Sequence, residues 1–265
     1  MPIGDVEDSG SFLWRNFDYG ERKVSQQDLQ QQLVKTHRKG AIIPTQVNMV
    51  GWSRGGISCH MLANAMLLDK ELRDIPVNIF TIDPVPGPLN FQIDKTRLGA
   101  NVREYVGFYA RDERSRTFAS VVPMTQPETR ISIFPMPGRH ATLAGNASST
   151  GAQGPAVVKE PGRMVRHFAE TCLTRWGVKL DKQLGLTDAD LLAAHTRMQA
   201  DEPIYTAMQG HTYLGVAEED GGQRRVVYGE QTTRFDKVCG PQWQPQTGLA
   251  TGLDAGIEHY RILSS

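Results

Sequence analysis

The sequence predicts an α/β protein with a mostly parallel sheet flanked by helices. Apolar runs at 47–50, 77–82 and 102–109 have the length and the β-branched or aromatic content of buried strands. The run at 55–70 is apolar almost all round and long enough for a helix buried against that sheet. Because a helix between two strands returns the chain to the same end of a sheet, this alternation favours parallel pairing.

The remaining predicted elements extend this core and divide the chain into three parts. We expect a helix at 24–38, a strand at 130–134, and helices at 161–176 and 187–200, the last capped by Thr187. Turn-forming residues predict a β-hairpin around Asp220-Gly221-Gly222. The predicted parts are an irregular segment 1–23, an α/β core 24–178, and a helical and hairpin-containing extension 179–265; no pattern indicates a role for 211–265.

Composition excludes several functional classes. Of the 265 residues, 39% are hydrophobic, and 29 Lys and Arg balance 29 Asp and Glu, so no basic excess favours nucleic acid. No apolar run reaches the roughly 18–20 residues of a transmembrane helix. The acidic N-terminus does not resemble a signal peptide, and three scattered cysteines predict free thiols, so we expect synthesis in the cytoplasm. No motif predicts a metal or another cofactor.

The most informative stretch is VNMVGWSRGG, which contains the G-x-S-x-G pattern with Ser53 at its centre. An apolar strand precedes the pattern and the buried helix follows it. This context predicts a sharp, strained turn that lifts the Ser53 hydroxyl above the sheet, with Gly51 and Gly55 preventing collisions on either side of the bend. Ser53 is therefore the candidate nucleophile, and the backbone N–H of Arg54 the candidate oxyanion donor.

A serine nucleophile needs a base, and the base needs an acid to orient it. Asp83 ends the first strand after the buried helix, and His140 follows the third, so both should lie at the same edge of the sheet as Ser53. The sequence predicts them as acid and base. Asp112, after the second of these strands, is the alternative acid, and His259 is the alternative base.

Three segments of the chain resemble a known family. GWSRGG, YARDERSRTF and FPMPGRH are similar in type and order to segments of the α/β-hydrolase family that includes bacterial type VI secretion phospholipase effectors. FTIDPVPGP also resembles the stretch at which lipases of the pancreatic type carry their acid. The resemblance covers about residues 45–145.

The resemblance implies a Ser53–Asp83–His140 triad that hydrolyses lipid or phospholipid esters. It also implies export as a secreted effector and a secretion-system or immunity protein as partner. Relative to such a fold, only about 46 residues precede the strand before Ser53, so we expect a core short of its N-terminal strands. The source of a second oxyanion donor is then open, with residues 10–20 as one candidate.

The leading prediction is a serine esterase or lipase. An acyltransferase or peptidase could use the same triad, and a non-catalytic or truncated hydrolase-fold module of a toxin or binding assembly is the alternative. Arg111 and Arg114 lie in a charged segment beside the predicted site. This segment is either a solvated loop or a contact for a phosphate head group.

Overall fold

The computed structural model describes residues 44–88, 90–213, 224–229 and 231–234. Several predictions fall outside these residues: the irregular segment 1–23, the helix 24–38, the turn Asp220-Gly221-Gly222 and the alternative base His259.

The described residues form seven strands and six helices, numbered here in chain order. The strands are β1 (Val47–Trp52), β2 (Val77–Ile82), β3 (Val102–Ala110), β4 (Ser120–Val122), β5 (Arg130–Met136), β6 (Arg225–Tyr228) and β7 (Gln231–Arg234). The helices are α1 (Arg54–Leu68), α2 (Ile93–Thr96), α3 (His140–Leu143), α4 (Glu160–Arg175), α5 (Asp188–Ala200) and α6 (Glu202–Met208).

The main sheet has four parallel strands in the order β1-β2-β3-β5. Trp52 pairs with Ile82, Ile82 with Phe108, and Phe108 with Phe134, so the carboxyl ends of the strands are aligned. The segments that follow these strands therefore start at one edge of the sheet. This confirms the predicted parallel α/β architecture at the level of the sheet.

Alternate residues of the central strands supply two hydrophobic clusters, one on each face of the sheet. Phe80 of β2 and Phe108 of β3 pack with α4, α5 and α6 on one face. Ile79 and Tyr105 pack with α1 on the other. Because both faces are covered, β2 and β3 are almost wholly buried, as expected for parallel strands. Helices α5 and α6, which belong to the predicted extension, thus share the core with the sheet.

The predicted elements match the observed ones closely where hydrophobic patterns are long. The strand at 77–82 has the predicted bounds, and α5 begins after Thr187, whose hydroxyl accepts a hydrogen bond from the Asp190 N–H at 3.2 Å. Helices α2, α3 and α6 and strand β4 were not predicted, because they have only three to seven residues, too few for a pattern to emerge.

A second, small sheet joins β4, β6 and β7. β6 pairs in parallel with β4 and antiparallel with β7. The chain turns from β6 into β7 at Gly229, where φ is 60°. The turn at Gly229 was not predicted, and the predicted turn at Asp220-Gly221-Gly222 lies outside the described residues. The Val121 N–H donates to the Pro84 carbonyl at 2.8 Å, which attaches the small sheet beside the end of β2.

No helix in the described part of the chain is long and apolar enough to cross a membrane.

Candidate active site

Ser53 lies in a strained turn between β1 and α1. Its backbone has φ 55° and ψ −124°, a conformation that side-chain-bearing residues seldom adopt. The Ser53 N–H donates to the Ile82 carbonyl at 3.0 Å, so the ladder between β1 and β2 continues into the turn. A serine held in this way immediately before a helix has the geometry required of a nucleophile elbow.

The glycines around Ser53 have different roles. A Cβ atom on Gly51 would lie 2.4 Å from the backbone of Gly55, and one on Gly56 would lie 2.9 Å from Cβ of Pro84. A Cβ atom on Gly55 would meet nothing within 4 Å. The prediction that Gly55 prevents a collision is therefore wrong. The close approaches that require glycine are at Gly51 and Gly56, because there the turn folds back on α1 and meets the loop after β2.

Asp83 and His140 are in direct contact. Asp83 follows β2, His140 is the first residue of α3 after β5, and both side chains are buried. His140 Nδ1 lies 2.7 Å from Asp83 Oδ2. If Nδ1 carries the proton and donates to the carboxylate, Nε2 is left as the acceptor, which is the tautomer that a general base needs.

Trp52 brings the His140 ring beside the turn. The two rings are stacked with their centroids 5.0 Å apart, and Trp52 Nε1–H donates to the His140 carbonyl at 3.3 Å. Phe118 packs edge-on against the ring from 5.1 Å. Within the described residues no hydrogen bond joins Ser53 Oγ to the imidazole ring.

Arg224 is a residue of the candidate site that the sequence analysis missed. It immediately precedes β6, and its buried guanidinium donates to both oxygens of Asp83, at 2.7 and 2.8 Å. Burial by itself raises the pKa of the Asp83 carboxyl, but Arg224 and His140 outweigh it, and the pKa falls to about 2. Asp83 is therefore an anion at neutral pH. The RRVV segment carried no signal of this contact, because the two residues are 141 positions apart.

The alternative acid, Asp112, lies in a different position. Its carboxylate accepts from the Gly138 N–H at 2.8 Å and from Gln209 Nε2 at 2.8 Å, and it pairs with Arg111. Among the described residues it has no hydrogen bond to His140. Asp112 instead fixes the loop that leads to His140, so the geometry favours Asp83 as the orienting acid.

The guanidinium groups of Arg111 and Arg114 are engaged within the protein. Arg111 bridges Asp112 and Glu202, reaching Glu202 at 2.8 Å. Arg114 donates to the backbone carbonyls of Arg111 and Glu113, at 2.7 and 3.0 Å. Neither arrangement favours the head-group contact considered from the sequence, since a phosphate would have to compete with these acceptors.

Glu113 belongs to the charged segment that the sequence placed beside the site, but its contact with His140 was not predicted. It is fully buried, and its Oε2 accepts from the His140 N–H at 3.3 Å and lies 3.5 Å from Nε of Arg139. Glu113 therefore supports the backbone of His140, while Asp83 orients its ring. In the described part of the chain, no group of three or more His, Cys, Asp or Glu side chains is arranged to hold a metal ion.

Comparison of the chain with models of known protein families, and with curated proteins, finds no match. The functional assignment therefore depends on the geometry of the described residues and on the motifs that carry the resemblance.

The two outer glycines of the motif provide a matched pair of substitutions. We expect Gly51→Ala to disrupt the turn and to destabilise the protein by several kcal/mol, because its methyl group would overlap the backbone of Gly55. Gly55→Ala, in the first turn of α1, should be neutral or stabilising by up to about 1 kcal/mol. Urea unfolding of both variants checks this difference; equal losses of stability would contradict it.

Because the pKa of Asp83 is lowered in the folded state, we expect the free energy of unfolding to fall at acidic pH. The pKa of an unfolded Asp is about 3.9, so the folded state binds fewer protons and the stabilisation is complete above about pH 5. It should be lost as the pH falls through about 2. At about 1.4 kcal/mol per pKa unit, this difference of nearly two units is worth roughly 2–3 kcal/mol of stability.

Urea unfolding between pH 7 and pH 2 measures this contribution of Asp83 to the free energy of unfolding. Asp83→Asn should flatten the pH dependence relative to the wild type, whatever its absolute stability, whereas Asp74→Asn, a control at an exposed position, should not. If the free energy of unfolding varied with pH in the same way for the wild type and Asp83→Asn, the predicted contribution of Asp83 would be contradicted.

Proposed function

We propose that the protein is a serine hydrolase of carboxylic esters, with an α/β-hydrolase-like arrangement of Ser53, Asp83 and His140. The observation that carries this proposal is the 2.7 Å contact between Asp83 and His140, beside a serine in a strained strand-to-helix turn. Each of the three residues follows a strand of one parallel sheet, in the chain order serine, acid, histidine. That order is the one found in α/β-hydrolases.

The proposed reaction has two stages. Ser53 Oγ attacks the acyl carbonyl while His140 Nε2 takes its proton, and Asp83 stabilises the resulting imidazolium through Nδ1. His140 then gives the proton to the leaving alcohol as the acyl–oxygen bond breaks, which leaves an acyl group on Ser53. Water, activated in the same way by His140, releases the acid and restores the serine.

The N-terminus of α1 supports the stabilisation of the developing oxyanion. Arg54 is the first residue of that helix, so its backbone N–H lies next to Ser53, where the helix dipole favours negative charge.

The surroundings of the site support an ester with an apolar part as substrate. Trp52, adjacent to Ser53 and stacked on His140, is 41% exposed. Phe118 also contacts His140, and its ring stacks at 5.2 Å on that of Tyr213, which is exposed. A lipid ester is the substrate class that the resemblance also implies. Export, and a secretion-system or immunity partner, stay predictions of that resemblance.

A fluorophosphonate probe, which reacts with activated serines, tests the proposal. Labelling of the wild type should disappear in Ser53→Ala and slow by at least about 10²-fold in His140→Ala, because the base is lost. Ser58→Ala, on the next turn of α1, and His211→Ala, at an exposed position, are matched controls that should label normally.

The same assay compares the two acids. Asp83→Asn should slow labelling by about 10²–10⁴-fold, because the amide would favour the wrong imidazole tautomer. Asp112→Asn should slow it less, provided circular dichroism shows that both variants are folded. Absence of labelling in folded wild type would overturn the hydrolase proposal and favour a non-catalytic module.

A further inference from the structure

The guanidinium of Arg224 connects three segments around the candidate site. Besides the two oxygens of Asp83, it donates to the carbonyl of Ala110, at the end of β3, and to the carbonyl of Phe118, at 3.0 Å. These acceptors lie between 106 and 141 residues away along the chain. A single side chain immediately before β6 thus contacts the residue after β2, the end of β3 and the segment that follows β3.

Arg224 helps to fix the carboxylate of Asp83 in one orientation. Oδ1 accepts from the Ala110 N–H at 3.1 Å and from Arg224; Oδ2 accepts from His140 at 2.7 Å and from Arg224. A carboxylate has about four lone-pair sites, so all of them are used. Rotation of the carboxylate would break several of these bonds at once, and the direction in which it accepts from His140 is therefore set.

Arg224 also contacts the segment that provides an apolar restraint on His140. The ring of Phe118 lies edge-on to the imidazole at 5.1 Å, and the carbonyl of the same residue accepts from Arg224 at 3.0 Å. The polar restraint through Asp83 and the aromatic restraint through Phe118 therefore both depend on one guanidinium.

The positive charge of Arg224 also keeps Asp83 ionised, so that it can accept a hydrogen bond from His140. A buried carboxylate without a cation tends to take up a proton, and a protonated Asp83 could not accept from His140 in the same way. The position of Arg224, 4% exposed and bonded to both oxygens, keeps the negative charge on Asp83 in a site that solvent does not reach. If the Arg224–Asp83 ion pair served folding alone, Asp83 Oδ2 would not also need to accept a hydrogen bond from the His140 ring.

We propose that Arg224 is a positioning residue of the candidate triad: it orients Asp83 and, through Asp83 and Phe118, the ring of His140. This inference rests on the proposed function, and it assigns to the small β4-β6-β7 sheet a part in forming the site, because Arg224 immediately precedes β6.

The first test is kinetic and uses a soluble p-nitrophenyl ester. Arg224→Met should lower kcat by about 10²-fold, as expected from misplacement of a catalytic group, with KM changed by less than about threefold. Arg224→Lys, which retains the charge without the two-pronged contact, should recover part of kcat. Arg166→Met, at an exposed position on α4, is the matched control and should resemble the wild type.

The second test does not require catalysis. A proton shared between His140 Nδ1 and Asp83 should give a far-downfield proton NMR signal in the wild type, assigned by its loss in His140→Gln. In Arg224→Met the signal should disappear or exchange faster, and in Arg166→Met it should not change. This arm decides the role of Arg224 even if the wild type hydrolyses no ester, an outcome that would count against the proposed function alone.

Wild-type kcat and an unchanged NMR signal in folded Arg224→Met would overturn the proposal. If Arg224→Met does not fold, Arg224→Lys decides: a lower kcat at an unchanged melting temperature supports positioning, whereas wild-type kcat and signal contradict it.

Discussion

Four hydrogen bonds meet at the buried carboxylate of Asp83, and the arrangement of the site depends on them. One comes from His140, one from the backbone of Ala110 and two from Arg224. An unpaired carboxylate at this depth would be strongly destabilising, so the anion can exist here only with its cation and donors in place. The same bonds that make burial tolerable also determine where the imidazole lies. The stability of the fold and the proposed chemistry thus depend on the same residue.

Two of the candidate residues at the edge of the parallel sheet have strained backbone conformations. Ser53 and Asp83 are the two non-glycine residues with positive φ in the described part of the chain, and they follow the neighbouring strands β1 and β2. Each is held by a backbone hydrogen bond to the adjacent strand: Ser53 N–H to Ile82, and Asp83 N–H to Phe108. Strain of this kind persists only where the surrounding structure determines it, and it is common at functional sites.

Long local patterns explain what could be predicted from the sequence. The apolar runs gave the strands and α1, and the strand ends put Ser53, Asp83 and His140 at one edge, where the structure brings Asp83 and His140 into contact. Arg224 could not be found in this way, because its contact with Asp83 arises only when the small sheet packs beside the end of β2. At Gly55 the motif predicted a contact that does not exist: a Cβ atom there would meet nothing, whereas one on the next residue, Gly56, would collide with Pro84.

The most direct measurement is a crystal structure of the protein after reaction with a fluorophosphonate. We predict a covalent bond between phosphorus and Ser53 Oγ, with His140 Nε2 facing the adduct and Nδ1 still bonded to Asp83. A phosphonyl oxygen should lie close to the Arg54 N–H. An adduct on a different residue, or a His140 ring turned away from Asp83 in the adduct, would contradict the proposed triad.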